Sequence, residues 1–568
     1  MPKAPALTPA DTLGFLIKSH YLGNDIPDVV TSVEFSDWCK AKHAGLPDPK
    51  LKLGRTTAAA TFTAPWKDTR RVLSIPHPAS QLNLSIIIND NLAAISAEIS
   101  GAHLSLYDTT PDRKAGRVFK GLNFDAVLGQ EVRTLAHSAV IMTADIGNFF
   151  HTIYSHSVPW AALGKQWVKD TRLGNPKDPD PAKAKAAKAA KATLAAHWSD
   201  RIDDALMGGN MRETFGIPVG PDTSRMIGEL LLAGVQRDMT LSGLLTGKDG
   251  YRLMDDFFVG FDTEDEARKC LYALRSSLWA FNLYLNDRKT KIVPSLAVER
   301  RSWRFEIEGF PLHARNPLTQ RQQLQRLVDI TIDHCVALGD GQPTTSFCKR
   351  VIDMKIMAVN MGFVLDCLLR IARQFPANTR AVATFVIDYR NALRVPALRA
   401  TLDRWTAEML GLQGSQEHDL EVCWCLIIRG VLRLQSSEAM TGNKNSHSAV
   451  TLCIAGLLGD QFLLTDDWDI WNGPSAISGG LANGRHWLPN YEAVKRGWTT
   501  DAGIVTEVQA DPLFEQLLND DVSFLDDSLF TIDDEMTLDP DIGGAQPLKI
   551  AKREPVRSGR RWQSGAYV

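Results

Sequence analysis

The chain has 568 residues, of which 44% are hydrophobic and 23% charged, with 41 Gly and 28 Pro. At roughly 150 residues per domain this length holds about two to four domains, and the composition excludes collagen, a coiled-coil rod, a disulfide-rich secreted scaffold and global disorder. Lys and Arg number 63 against 66 Asp and Glu, a formal charge of −3, so bulk charge does not advertise a nucleic-acid binder and any such surface must be a local basic groove.

Residues 1–60 are mixed in character, with one helix expected around Thr12–His20. No apolar h-region follows Met1-Pro2-Lys3, and no run approaches the roughly 20 apolar residues of a membrane helix. Glu229, for example, breaks the run around Leu230-Leu231-Leu232. Eight cysteines are sparse, and Cys423 and Cys425, the only close pair, have no histidine at zinc spacing. Buried reduced thiols, a cytoplasmic setting and no membrane contact are the expectations.

From residue 61 to 310 short β-rich runs alternate with helical segments. Ser85–Ile88, Ala139–Met142 and Phe257–Val259 are short, apolar and bounded by polar residues, which predicts strands. Asn175–Pro181 is rich in breakers. The Lys/Ala-rich stretch from Ala182 that follows is strongly helix-forming. Its Lys185, Lys188 and Lys191 share a face at i, i+3 spacing, which reads as a solvated helix, a flexible insertion or a phosphate-contacting arm. Farther on, Leu327–Leu338, Val351–Phe375, Arg380–Val395, Leu398–Leu410 and Asp419–Leu434 are amphipathic and helix-length, which predicts a helical domain of stacked pairs. Beyond these, Asp520-Asp521, Asp526-Asp527 and Asp533-Asp534-Glu535 precede a basic tail, Lys552-Arg553 to Arg560-Arg561. Such a charge block is expected to be solvated and mobile, or to pack on a basic groove of its own chain.

Two carboxylate clusters stand out. In Thr143-Ala144-Asp145-Ile146-Gly147-Asn148-Phe149-Phe150 an apolar strand ends in an acid, then Gly and two aromatics. In Arg252-Leu253-Met254-Asp255-Asp256-Phe257-Phe258-Val259 two acids sit between apolar runs, as at the turn of a hairpin. Carboxylates beside a core cost free energy unless a metal or a base neutralises them. Two strands bringing Asp145 and Asp255 together would offer hard oxygen ligands to magnesium, and two such ions stabilise both oxygens of an in-line displacement. Between the clusters, Gly216-Ile217-Pro218-Val219-Gly220-Pro221 is a backbone-shaped turn. A helix is expected to start near Asp222–Ser224 with its N-terminus free to face phosphate or a base pair. A helical stretch, Glu264–Phe281, then leads to a strand entry with Lys289 placed late.

This ordered set resembles the palm motifs of reverse transcriptases. Asp145 with Phe150 is similar to motif A, Gly216–Gly220 to motif B, Asp255-Asp256 to motif C, and Asn286-x-x-Lys289-Thr290 to motif D. Lys67-x-x-Arg70-Arg71 before Pro76-His77-Pro78 resembles the basic fingers segment, with Arg117 where a second fingers arginine is expected. More narrowly, Asp145-Ile146-Gly147-Asn148-Phe149-Phe150-His151 and Gly216–Ser224 resemble the abortive-infection (Abi) reverse transcriptases of bacterial antiphage defence. Leu16–Leu22 and Tyr491–Trp498 fit that group too. One departure is Leu253, where these enzymes usually place an aromatic two residues before the first motif C acid.

The resemblance implies an α+β right-hand polymerase: fingers over residues 1–130, an antiparallel palm sheet with helices over 131–315 carrying the Lys/Ala-rich insertion 175–197. An all-α, HEAT-like helical C-terminal domain over 316–505 and an acidic segment with a basic tail over 506–568 would follow. It implies a bacterial, cytoplasmic DNA polymerase that adds dNTPs by two-metal phosphoryl transfer. Asp145, Asp255, Asp256 and the carbonyl of Ile146 would hold two Mg²⁺, with Mn²⁺ able to substitute. Lys67, Arg70, Arg71 and Arg117 would take the triphosphate, with Arg71 foremost. Lys289 would neutralise or protonate the leaving pyrophosphate. Phe150 would sit under the sugar and exclude a 2′-hydroxyl, and Gly216, Pro218 and Gly220 would shape the nucleotide site. The group also implies homo-oligomers and template-independent synthesis primed by a tyrosine, here Tyr389 or Tyr567, leaving single-stranded DNA attached to protein. Two alternatives stand beside this reading: a reverse transcriptase copying a dedicated noncoding RNA, and a catalytically weak phage-sensing scaffold.

Overall fold

The structure, a computed structural model, describes residues 7–18, 21–23, 25–43, 58–62, 70, 72–102, 104–114, 116–122, 124–298, 302–313, 316–413, 418–437, 448–464 and 486–530. It is mostly helical, with one small antiparallel sheet and two strand pairs. In chain order come α1 (Pro9–Lys18), α2 (Val33–Lys42), β1 (Ala59–Phe62), β2 (Val72–Ile75), α3 (Pro78–Asp90) and α4 (Leu92–Ser100). Then follow β3 (Tyr107–Asp108), β4 (Gly121–Leu122), α5 (Phe124–His137), β5 (Val140–Asp145), α6 (Phe149–Thr152), α7 (Ser157–Leu163), α8 (Lys165–Leu173), α9 (Pro181–Ala196) and α10 (Trp198–Gly208). The next elements are α11 (Asp222–Gln236), α12 (Met239–Leu245), β6 (Gly250–Leu253), β7 (Asp256–Phe261), α13 (Glu264–Ala280) and β8 (Lys291–Pro294).

The central sheet has the order β6-β7-β5-β8, every pair antiparallel. Alternation sends Met142 and Ala144 of β5 to one face and Ile141, Thr143 and Asp145 to the other. The first face, with Phe257, Val259 and Phe261 of β7, packs on α11 and α13 through Leu230, Leu231, Cys270 and Leu274. On the second face Ile141, Phe258, Tyr251 and Leu253 pack with Val127 of α5. The sheet thus has a core on both sides, and the acids stand at its end.

Ser85–Ile88 is not a strand, as expected from its apolar run, but the interior of α3. Pro78 opens that helix and the His77 imidazole accepts the Ala79 N–H. The helix is buried on nearly every side, so its apolar residues show no one-face periodicity and cannot be told from a buried strand.

Beyond the sheet the chain is helical: Ser302–Glu308, Pro317–Leu338, Gln342–Ile352, Met361–Gln374, Thr379–Asp388, Pro396–Gln413, Asp419–Val431, Ala449–Asp460, Trp487–Arg496, Ala502–Ala510 and Pro512–Asn519. The segment expected as one helix over Val351–Phe375 is split. The Asn360 side chain donates to Pro317 O and Gln320 Oε1, both at 3.0 Å, which holds the chain in a tight turn between two helices. Residues 506–530, expected as solvated or as packed on a basic groove, are held by apolar contacts: Phe514, Phe524 and Leu525 are buried in one continuous core with Ile17, Tyr21 and Phe35. All eight cysteines are buried and free. Among the described residues no helix is long and apolar enough to cross a membrane.

Candidate active site

Strand β5 ends on Asp145 and β7 begins on Asp256, and the two are cross-strand partners. Directly opposed residues point to the same face, with Cβ atoms about 5 Å apart. Asp256 shares a hydrogen bond with Asp145, and its carboxyl is pushed up to about 8. Burial is the largest cause, followed by the negative charges of Asp255 and Asp145, and Lys289 offsets part of the effect. Two facing carboxyls, with Asp256 held toward its protonated form by burial and its acidic neighbours, are a donor set for a hard dication. Among the described residues no group of three or more His, Cys, Asp or Glu is arranged to hold a metal.

Of the two motif C acids, Asp256 is the one in register with Asp145. Asp255 lies in the two-residue turn between β6 and β7, and its carbonyl accepts the Ile146 N–H at 3.3 Å. Met254, the other turn residue, has φ 52°, the left-handed region that a two-residue hairpin demands and non-glycine residues resist. Its carbonyl accepts Arg252 Nη1 at 2.7 Å. Arg252 is fully buried and forks onto Glu229 of α11 at 3.0 and 2.7 Å. This ion pair fastens the acid-bearing turn to the helix behind the sheet.

Ile146 is buried and bridges Leu285, while Asn286 N donates to Asp145 O at 2.7 Å. That bond anchors a compact turn in which Asn286 O accepts from the backbones of Lys289 and Thr290 at 3.1 and 3.0 Å. The turn delivers Lys289 Nζ to Asp145 Oδ1 at 2.8 Å. The lysine side chain is still 55% exposed, so it can exchange this carboxylate for another anion.

The Gly216–Gly220 turn is laced to the segment after Asp145. Gly216 N donates to Ile153 O and Ile217 N to Phe150 O, both at 2.9 Å. Gly216 and Gly220 have φ +83° and +124°, and a Cβ on Gly220 would stand 2.9 Å from Gly23 Cα. Phe150 is half-buried, its ring 5.3 Å from that of Phe149. Gly216 and Pro218 line a cavity of about 270 Å³ with His151, Gln81, Thr223 and Ser224.

Of the expected triphosphate ligands, Arg117 and Arg70 lie among the described residues, and each is engaged by a carboxylate outside the Asp145–Asp256 pair. Arg117 makes a bidentate pair with Asp222 at the start of α11, at 3.1 and 2.9 Å. Arg70 binds buried Glu421 at 2.9 Å and His418 at 2.7 Å, both in the C-terminal helices. Lys67 and Arg71 lie outside the described residues, as does Tyr567. Tyr389 is buried against Phe385, with no hydrogen-bond partner for its hydroxyl among the described residues, and burial pushes that hydroxyl up to about 12.

Sequence reasoning missed the Arg252–Glu229 pair. The signal was present: a lone acid inside the apolar run of α11 requires a buried partner.

No family model and no curated protein matches the chain. Among solved structures, apo telomerase from Candida tropicalis is 12% identical, covering 68% of this chain and 71% of that chain with a TM-score of 0.29. Telomerase from Candida albicans in complex with a TWJ fragment of telomeric RNA is 10% identical, covering 66% of this chain and 67% of that chain with a TM-score of 0.26. Likeness at these TM-scores carries no argument, and the reading of the site rests on its own geometry.

Proposed function

We propose that this chain is a nucleotidyltransferase of reverse-transcriptase type, with a right-hand polymerase palm and dNTPs as substrates. The observation that supports it most is the in-register pair of Asp145 and Asp256 at the end of an antiparallel sheet, with Lys289 on Asp145. Asp145 and Asp256 would hold Mg²⁺, with Asp255 and the Ile146 carbonyl beside them. Bound there with substrate phosphates, the metal supplies charge neutralisation for phosphoryl transfer. Asp256 would have to give up its proton to serve as a ligand. Lys289, held on Asp145 and half-exposed, would be the cation placed to neutralise the leaving pyrophosphate. The half-buried Phe150 ring is the proposed barrier to a 2′-hydroxyl.

The Abi-like motifs extend the proposal to antiphage defence, with template-independent, protein-primed synthesis by an oligomer. For the primer, the buried Tyr389 is poorly disposed. Tyr284 suits the role better: its carbonyl accepts Gly147 N at 2.9 Å, and its side chain is 60% exposed. The test is to incubate purified protein with Mg²⁺ and each labelled dNTP, without template or primer, and to resolve products with and without protease. DNA that stays attached to protein until proteolysis supports the reading, and loss of that label in Tyr284→Phe assigns the primer. Synthesis that begins only when RNA is supplied overturns template independence.

A further inference from the structure

Helix α9 carries Lys183, Lys185, Lys188 and Lys191, and no Asp or Glu occurs between Asp180 and Asp200. Solvated helices usually interleave acids at i+4 to offset their lysines; this one does not. None of the four lysines makes an ion pair with a described residue, and all but Lys191 are exposed. By contrast, Arg172 of the adjoining α8 is neutralised by Asp200 and Asp203.

The helix is nevertheless a fixed part of the fold. Pro181 opens it, the Asp180 side chain caps it from Ala182 N, and Leu194 docks in a small core with Trp160 and Val168. Helix α8 extends the positive surface. Lys165 and Lys169 stand over the Trp160 ring at 4.4 and 5.5 Å, and Lys165 also reaches the carbonyl of Ala280. Beside these, Trp167 and Trp279 are 40% and 55% exposed. A fixed row of three lysines at i, i+3 spacing, Lys185, Lys188 and Lys191, with exposed indoles on the neighbouring helices, matches the binding mode of single strands, whose phosphates meet the cations while unstacked bases find aromatic faces.

We infer that the α8–α9 surface binds single-stranded DNA. This deepens the polymerase reading by giving the product strand a place on the enzyme. Binding is measured without nucleotide or metal, so its failure and the failure of catalysis are separate results.

The experiment titrates the full chain against fluorescein-labelled oligo(dT) at several salt concentrations. The comparison protein carries Lys183→Gln, Lys185→Gln, Lys188→Gln and Lys191→Gln, which keep helix propensity; circular dichroism and thermal melting verify its fold. Three phosphate contacts to a single strand, from Lys185, Lys188 and Lys191, give a log–log salt slope of about −2, so the quadruple variant should lose about that much slope. Equivalently, raising salt from about 50 to about 200 mM should cost the wild type about 20-fold more affinity than the variant. The matching quadruple Lys→Arg protein should keep the wild-type slope. An unchanged slope in the Gln variant overturns the inference, and so does loss of slope in the Arg protein. Tighter binding of oligo(rU) or of duplex DNA overturns the assignment to single-stranded DNA. A weak, identical slope in both proteins overturns it as well.

Discussion

At the scale of single residues, Asp256 sets the chemistry. Its carboxyl is raised from 3.8 to about 8, by burial first and then by its acidic neighbours. The stabilisation from its retained proton is therefore complete below about pH 3.8 and is lost as the pH rises toward 8. In metal-free protein, thermal stability should fall across that window, and Asp256→Asn should flatten the fall; melting curves at stepped pH check both. Metal loading expels the same proton, so Mg²⁺ affinity, measured by calorimetry, should rise about tenfold per pH unit and level off above about 8. The pairing of Asp145 with a motif C acid was legible in the sequence, because an acid ending an apolar strand needs a neutralising partner. Which acid it pairs with was not, since a two-residue turn decides which one faces the strand.

At the scale of elements, the acid-bearing turn depends on α11. A Cβ on Gly228 would meet the Phe149 ring at 3.0 Å and Met254 Sδ at 3.2 Å. Gly→Ala in a helix gains about 1 kcal/mol in propensity, but overpacking costs about 1–3 kcal/mol, so Gly228→Ala should be net destabilising and should slow incorporation. Removing one partner of the Arg252–Glu229 pair leaves a buried charge and should cost about 3–5 kcal/mol in denaturant unfolding. The double variant Glu229→Leu, Arg252→Met should recover much of that stability. It should not recover activity, because the Met254 carbonyl loses its donor. Strands β5 and β7 and helices α11 and α13 were readable from apolar runs and capping residues. Helix α3 was not, because burial all round erases the periodicity that separates helix from strand.

At the scale of the whole molecule, the two ends of the described chain meet. Val30 bridges Leu525, Thr31 N donates to Phe524 O and Asp526 N to Val29 O, both at 2.8 Å. Phe524 packs 5.4 Å from Phe35 and 5.5 Å from Trp487. Phe524→Ala should cost about 3–5 kcal/mol and increase hydrogen exchange in α1 and α2 as well as in the C-terminal helices. Charge runs such as Asp520-Asp521 and Asp526-Asp527 concealed this packing from the sequence, since the apolar run between them, Val522-Ser523-Phe524-Leu525, is too short to show a helix or strand period. The closure bears on function because the N-terminal core also holds Val219 of the Gly216–Gly220 turn.

The measurement that bears most directly on the central claim is Mg²⁺-dependent incorporation of labelled dNTPs by wild type and by Asp256→Asn, each first verified as folded by its melting curve. The paired-carboxylate site predicts incorporation in the wild type and a loss of at least about 100-fold in the variant, as for removal of a main charge-stabilising group. Incorporation that survives in Asp256→Asn at the wild-type rate would contradict it.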